Sequence, residues 1–293
     1  MKKILITGVN SYLGKNFKQY IAQFPEDYST VSISMRDNSW RELDLSGFDT
    51  VYHVAGLAHS DSGHISREKA ELYYSVNTEL TCELAKKAKK AGVGQFIFMS
   101  SIIVYGECSA IGKNRVISAD TPCSPANCYG DSKLQAEQKL KELACDTFKV
   151  VVLRPPMIYG KGCKGNYPLL SLFANKLPFF PEINNTRSIL YVENLMEFVR
   201  MMIDNEESGL FFPQNERYCS TSDIVKTIAE VRNKNIRLTK LFNPALRLLS
   251  DFFPVINKAF GSFCYDMSIS EYGKGDYRIC SFKESIERTE GEE

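Results

Sequence analysis

The chain opens on Lys2-Lys3-Ile4-Leu5-Ile6-Thr7-Gly8-Val9-Asn10-Ser11-Tyr12-Leu13-Gly14: an apolar run, a glycine-bearing turn and the start of a helical pattern. Ile4-Leu5-Ile6 reads as a short strand buried on both faces. Strand, glycine turn and helix, in that order, are the context that a dinucleotide-binding loop requires. Gly8 allows the tight turn, Gly14 lets helix and strand approach closely, and the helix N-terminus offers N–H groups and a positive dipole end to a pyrophosphate. An ordinary βα turn with incidental glycines would look the same in isolation, so the following segments decide.

Val31-Ser32-Ile33-Ser34-Met35-Arg36 reads as the second strand. An acidic residue at its end would bind a ribose 2′-hydroxyl, and an arginine would accommodate a 2′-phosphate. Arg36 therefore favours NADP(H), while Asp37, one place on, keeps NAD(H) as the alternative. Asp49 to Gly56 gives a third strand running into small residues, with His53 inside it as a packed core histidine. Residues 70–91 form an amphipathic helix carrying Asn77 and Thr81. Gln95-Phe96-Ile97-Phe98-Met99 is the next strand and delivers Ser100-Ser101 at its carboxyl end. Ligands of open parallel sheets bind outside those carboxyl ends, where Gly8, Ala55 and Ser101 converge.

Tyr129-Gly130-Asp131-Ser132-Lys133 follows near the start of a helix. Side chains four apart share one helix face, and an ammonium there lowers the pKa of a neighbouring phenol. Tyr129 could then exchange a proton near neutral pH. A Tyr-x-x-x-Lys pattern on a solvated face is the bland alternative.

Composition sets outer bounds. A chain of 293 residues fits one large domain or two small ones. The 36 basic and 35 acidic residues nearly cancel, which argues against nucleic acid as a partner. Nine scattered cysteines without Cys-x-x-Cys suggest a reduced, cytoplasmic protein rather than a disulfide framework or zinc site. His59 and His64, in a polar loop with Asp61, lack metal-ligand spacing, and no metal is expected. The apolar run after Lys2-Lys3 breaks too soon for a signal peptide, and no integral membrane segment is expected.

Taken together, the chain resembles an extended short-chain dehydrogenase/reductase, of the NAD(P)-dependent nucleotide-sugar epimerase, dehydratase and reductase family. Thr7-Gly8-x-x-Ser11-x-x-Gly14 matches the family's Thr-Gly-x-x-Gly-x-x-Gly loop except at Ser11. Val51–Gly56, Val76-Asn77-x-x-x-Thr81, Ser100-Ser101-x-x-Val104-Tyr105-Gly106 and Tyr129-x-x-x-Lys133 follow in family order. Leu153-Arg154-Pro155-Pro156-x-x-Tyr159-Gly160 and Arg187-Ser188-x-x-x-Val192-x-Asn194-Leu195 extend the match to about residue 200.

The resemblance implies a doubly wound parallel α/β sheet (Rossmann) with a smaller, discontinuous α/β substrate domain. The cofactor domain would span 1–160 with 188–212 returning to it; the substrate domain would take 161–187 and 213–293. It implies that Tyr129 is the catalytic acid/base, that Lys133 lowers its pKa while binding the nicotinamide ribose, and that Ser101 bonds the sugar C4 oxygen. The cofactor would be lined by Gly8, Asn10, Ser11, Tyr12, Leu13 and Gly14 of the loop. Arg36, Asp44, Leu45, Ala55, Gly56, Asn77 and Pro156 would complete that lining. Asn166 and Arg187 fall where the family contacts the substrate's nucleotide diphosphate, a job suited to a guanidinium's bidentate bonds. Ser11 puts a side chain where backbone should approach the pyrophosphate.

Ile102 and Ile103 stand where the family's 4,6-dehydratases carry an Asp-Glu pair, so dehydration is not expected. A UDP-sugar 4-ketoreductase or a 4-epimerase remains, and Arg36 tips the reading narrowly to reduction of a UDP-4-keto-6-deoxy-HexNAc. A non-catalytic NADP(H)-binding sensor is the rival from another class, and a homodimer is the assembly that the resemblance suggests.

Beyond Gly160 the pattern is less regular. A strand near Ile189–Val192 is expected to return to the sheet, Thr221-Ser222-Asp223 to open a helix capped by Thr221 or Ser222, and Ile236-Arg237-Leu238 to form a small-domain strand. Leu241–Phe260, rich in Leu and Phe and broken by Pro244 and Pro254, reads as a buried or partner-facing helix, with a membrane-surface helix as the alternative. The charged tail Glu284–Glu293 is expected to fray.

Overall fold

A computed structural model describes residues 1–57 and 65–291. The chain divides into two compact units. The first comprises 1–106, 122–155 and 195–213, and the second 107–121, 156–194 and 214–293.

The first unit is built on a six-stranded, wholly parallel sheet. Strands β1 (Lys2–Thr7), β2 (Tyr28–Ile33), β3 (Thr50–His53) and β4 (Gln95–Met99) are joined by the strands Lys149–Leu153 and Gly209–Phe211. Their order across the sheet is Gly209–Phe211, Lys149–Leu153, β4, β3, β1, β2. Parallel strands bury both faces, and β3 and β4 are buried at every position. Leu5, Val51, Phe96, Phe98, Val150 and Val152 alternate onto one face, where they meet Leu84, Ala85 and Ala88 of helix α3 (Leu80–Lys90) and Ala136 and Leu140 of helix α4 (Cys128–Leu143). Tyr52 points to the other face and meets Phe17 of helix α1 (Tyr12–Ile21) edge-on at 4.9 Å. Helices on both faces make the sheet doubly wound.

The amphipathic stretch predicted over 70–91 is not one helix. Helix α2 (Arg67–Tyr74) passes through a π-helical turn, Ser75–Glu79, into α3. That wider turn holds Asn77 and Thr78 fully inward, a placement for which π-turns often occur at functional sites. The predicted strand near Ile189–Val192 does not return to the large sheet. Ile189–Tyr191 pairs with Met157–Tyr159 in the second unit, and Gly209–Phe211 is the edge strand instead.

The second unit holds three two-stranded parallel pairs: Met157–Tyr159 with Ile189–Tyr191, Phe179–Pro181 with Arg237–Thr239, and Val116–Ile117 with Cys264–Tyr265. The middle pair contains the predicted small-domain strand. Residues 107–121 and 156–160 thus lie in this unit rather than with the first, as the sequence boundaries had it. Its centre is tyrosine-rich: Tyr159 stacks on Tyr167 at 5.3 Å and its hydroxyl accepts from Asn215 Nδ2 at 3.0 Å. Helix Thr221–Val231 is capped by Ser220, one residue before the predicted caps, in a reciprocal box with Asp223. The tail is not frayed: Ser281 caps the helix Phe282–Glu290, whose Phe282, Ile286 and Glu290 are buried. Its apolar spacing at i and i+4 explains why a charged segment docks.

Candidate active site

The fold sets β1 between β2 and β3, so the chain reverses its direction across the sheet at β1, and a crevice for ligand opens beyond such a reversal. Gly8 N and Val9 N donate to Ile33 O at 2.9 and 3.2 Å, tying the glycine turn to the end of β2. Gly8 has φ +79°, and a Cβ on it would lie 3.2 Å from Ala55 Cα. A Cβ on Gly14 would stand 3.2 Å from Ile6 Cγ2 and 3.3 Å from Val54 Cγ2. Side chains at either position would force the loop apart.

Ser11 has a structural role of its own. It is the N-cap of α1, and its Oγ accepts from Gly14 N at 3.4 Å while its carbonyl accepts from Lys15 N at 3.0 Å. Asn10 is exposed beside it, and Tyr12 and Leu13 start the helix, where first-turn N–H groups have no partner within the helix itself. Arg36 lies exposed just past β2, paired with no carboxylate among the described residues; Asp37 accepts instead from Ser39 N at 3.0 Å. Asp44 accepts from Ser46 N at 2.8 Å and Oγ at 2.7 Å, and Leu45 turns its side chain into the core, which leaves its backbone to line a site.

At the end of β3, Gly56 faces Asn77 and Lys133. A Cβ there would be 3.0 Å from Asn77 Oδ1 and 3.3 Å from Lys133 Nζ. Asn77 is buried and accepts from Leu57 N at 2.8 Å, while its Nδ2 donates to Leu57 O and Ser132 Oγ. Ala55 N, with Val54 N, donates to Thr7 Oγ1 at 3.1 and 3.2 Å. Pro156 is buried immediately after Pro155, at the start of the second unit.

Ser101, Tyr129 and Lys133 come together in the first unit. Ser101 caps the short helix Ile102–Tyr105, accepting from Ile103 N at 3.3 Å, and it lies close enough to Tyr129 to act on the phenol. Asn127 caps α4 by accepting from Gly130 N at 2.9 Å, which fixes Tyr129 in the first turn. Gly130 is required there, because a Cβ would be 2.9 Å from Ile103 O. Lys133, one turn on, is buried; its Nζ donates to Met99 O at 2.9 Å and lies 4.7 Å above the Phe98 ring.

Burial dominates the electrostatics of both Tyr129 and Lys133. Burial pushes the Tyr129 phenol up to about 12, the Ser101 hydrogen bond pulls it partly back, and Tyr73 pushes it up further; Lys133 is not among the acting groups. Lys133 is itself drawn down to about 8 by burial, with Glu137 opposing.

Three features escaped sequence reasoning. Tyr73 of α2 lies with its ring 6.0 Å from that of Tyr129. Glu137, one turn beyond Lys133, forms a buried ion pair with Arg154, whose Nε donates to both carboxylate oxygens at 3.1 and 3.2 Å. Ser100 Oγ also bonds Glu137, and Arg154 Nη1 donates to Tyr105 OH at 2.6 Å, so this pair ties the end of β4 to α4. Only the i, i+4 spacing of Lys133 and Glu137 signalled it. The third is a relay through His53, taken up in the Discussion.

The expected diphosphate contacts lie in the second unit. Asn166 is exposed and precedes the helix Tyr167–Lys176. Arg187 Nη1 donates to Lys258 O at 2.7 Å and to the carbonyls of Ala259 and Gly261, and burial lowers its pKa. No carboxylate pairs with it among the described residues. His59, His64 and Asp61 lie outside the described residues, and no metal-holding cluster occurs among those described.

Gly8, Gly14, the first turn of α1, Gly56 and Asn77 thus form a close backbone cradle that a dinucleotide fits. A family model described as "NAD dependent epimerase/dehydratase family" matches residues 4–212. The UDP-glucose 4-epimerase of Vibrio cholerae is 31% identical over 255 residues, covering 80% of this chain and 76% of the relative. An Escherichia coli O157:H7 protein named N-acetyl-alpha-D-glucosaminyl-diphospho-ditrans,octacis-undecaprenol 4-epimerase is 29% identical over 288 residues, covering 96% and 80%. Among solved structures, dTDP-4-dehydrorhamnose reductase from Bacillus anthracis in complex with NADP superposes with a TM-score of 0.72 at 19% identity, covering 99% of each chain.

Proposed function

The chain belongs to the NAD dependent epimerase/dehydratase family and is an enzyme of the extended short-chain dehydrogenase/reductase type; from that premise we propose that it is a nicotinamide-dependent 4-epimerase of a hexose or N-acetylhexosamine carried on a diphosphate, with a UDP-sugar as the soluble substrate. The reading rests on one observation, Ser101 and Tyr129 placed close enough for the serine to act on the phenol, beside buried Lys133. A nicotinamide supplies and takes up hydride at C4 when bound. Tyr129 would take the C4 hydroxyl proton as phenolate while C4 is oxidised and would return that proton to the C4 carbonyl oxygen when C4 is reduced again, so the proton count closes over one epimerisation. Ser101 steadies the phenol and that oxygen. Lys133 Nζ has donors left beyond Met99 O to hold a ribose near Gly56. Ile102 is buried and carries no exchangeable proton, which disfavours dehydration.

The two relatives described above bear the name of a 4-epimerase, and at 31% and 29% identity they weigh more than a 25% identical relative named as a UDP-sugar reductase. Arg36 keeps the second reading alive: an exposed, unpaired guanidinium past β2 suits a 2′-phosphate, hence exchangeable NADPH and reduction of a UDP-4-keto-6-deoxy-HexNAc. In this proposal the first unit carries the cofactor and the second the substrate, and the nine free cysteines fit a reducing compartment such as the cytoplasm.

A paired assay separates the readings. One arm offers UDP-glucose and UDP-GlcNAc without reductant and looks for C4 epimers. The other offers a UDP-4-keto-6-deoxy sugar with NADPH or NADH and follows nicotinamide absorbance. Epimers without net cofactor oxidation are expected; stoichiometric oxidation alone would hand the function to the reductase. Tyr129→Phe is expected to fold normally and lose about 100-fold or more of turnover in whichever arm responds, since it removes the proton donor.

A further inference from the structure

The helices Asn243–Ser250 and Pro254–Phe260 are built inside out. Their polar groups fasten them inward: Asn257 Nδ2 donates to Ser250 O at 3.0 Å, Asn257 Oδ1 accepts from Ile111 N at 3.2 Å, and Asn243 Nδ2 donates to Glu182 O at 2.8 Å. Arg187 holds the carbonyl of Lys258 at the end of the second helix. The apolar side chains go outward. Leu241 is 79% exposed, Leu248 67%, Phe252 73% and Val255 63%, with Leu249 and Phe253 beside them, and Pro254–Phe260 has no buried residue. The stretch read from sequence as a buried or partner-facing helix is therefore not buried. Fully burying one Leu, Val or Phe is worth about 1.5–3 kcal/mol, which folding of this chain alone forgoes at each position.

We propose that this face is a docking surface for an anionic lipid bilayer. Charge selects the occupant. Lys234 and Arg237, just ahead of the face in the chain, and Arg247 on its first helix are exposed and without a carboxylate partner among the described residues; Lys240 and Lys258 pair with Glu182 and Glu107, and Asp251 is the one acidic residue between Leu241 and Phe260. Leucine and phenylalanine bordered by arginine and lysine is the pattern of a segment lying in the headgroup plane. A second copy on this face would bring a segment of the same net positive charge, Arg247 and Lys258 against Asp251, next to its own. The segment lies on a membrane rather than across one, since no helix among the described residues is long and apolar enough to span it. The inference goes beyond the reaction proposed above and does not depend on it.

The test is co-sedimentation of the purified full chain with phosphatidylcholine vesicles and with vesicles of equal parts phosphatidylcholine and phosphatidylglycerol. Binding to the anionic vesicles, weakened by salt, is expected. The double variant Leu248→Glu, Phe252→Glu should bind on the order of 100-fold more weakly, with unchanged circular dichroism. The pair Arg237→Gln, Arg247→Gln should lose the preference for phosphatidylglycerol while keeping its fold. A chain that sediments with neither vesicle overturns the proposal, as does undiminished binding by the Glu variant. So does a wild-type dimer that the Glu variant turns into a monomer without either form binding vesicles, because a second copy then covers the face.

Discussion

His53 sits at 1% exposure between two threonines, and its surroundings fix its proton. Thr7 Oγ1 accepts from Val54 N and Ala55 N, which leaves its single proton for His53 Nδ1 at 2.9 Å. Nε2 then carries the ring proton and donates to Thr81 Oγ1 at 2.9 Å, which in turn donates to Asn77 O at 2.8 Å. The relay joins β1, the end of β3 and the π-turn with every group satisfied. Burial, aided by Lys133, pulls the histidine down to about 3. The unfolded histidine takes up a proton near its ordinary value while the folded one does not. Its contribution is thus intact above about pH 6.5 and falls by about 1.4 kcal/mol per unit as pH drops toward 3. Urea midpoints compared at pH 7 and pH 5 should show a drop that His53→Gln makes smaller, even though the variant is less stable at pH 7. An equal drop in both proteins would remove His53 as the cause.

Ser101 invites a companion test. Ser101 is the influence that lowers the Tyr129 phenol, so Ser101→Ala should move the rising limb of the oxidative-direction pH profile to higher pH as well as slow the reaction. A slower enzyme with an unmoved limb would assign Ser101 to the substrate alone. The family resemblance made these positions legible from sequence. It did not reveal the direction of the electrostatics, because a spacing of four residues says that Lys133 shares a face with Tyr129 and nothing about the carbonyl that holds it.

At the scale of elements, patterns local in sequence were readable and those decided by a distant partner were not. Ile4–Ile6, Val51–His53 and Gln95–Met99 announce themselves as apolar runs, whereas Tyr28–Ile33 is half polar and lies three residues ahead of the predicted strand. The helix Phe282–Glu290 was misjudged because charge dominates its composition, while two residues, Phe282 and Ile286, decide its fate by docking in the second unit. Glu290 is buried there against Arg232, and Ser171 Oγ donates to it at 2.9 Å. Truncation after Gly291 should leave stability unchanged, whereas truncation after Cys280 should cost on the order of 3–6 kcal/mol from the two apolar side chains alone. Thermal denaturation of the two truncations decides it, and equal melting points would restore the frayed tail.

On the scale of the whole molecule, the single tryptophan is a convenient reporter. Trp40 is buried in the first unit's core with Leu45 and Phe48, so its fluorescence follows that unit. If the glycine cradle binds a nicotinamide dinucleotide, ligand at 100 times its dissociation constant should stabilise that transition by about 2.7 kcal/mol. Parallel titrations with NAD and NADP would also weigh Arg36, and Arg36→Ala should erase a preference for NADP. A transition indifferent to both dinucleotides would count against the cradle.

The sequence by itself determined the parallel α/β class and the glycine turn after β1, and it offered Ser101, Tyr129 and Lys133 as the candidate set. Each rests on short-range pattern or on motifs whose spacing is preserved along one chain. Only the tertiary structure decided that Ile189–Tyr191 leaves the large sheet, that Glu137 and Arg154 brace the site, and that Lys133 is held by Met99 O. It also decided that the leucines and phenylalanines of 241–255 face outward. Apolar periodicity marks which side chains share a face, but what that face meets depends on residues far away in sequence, and here the polar anchors at Asn257 and Arg187 turn it to the surface.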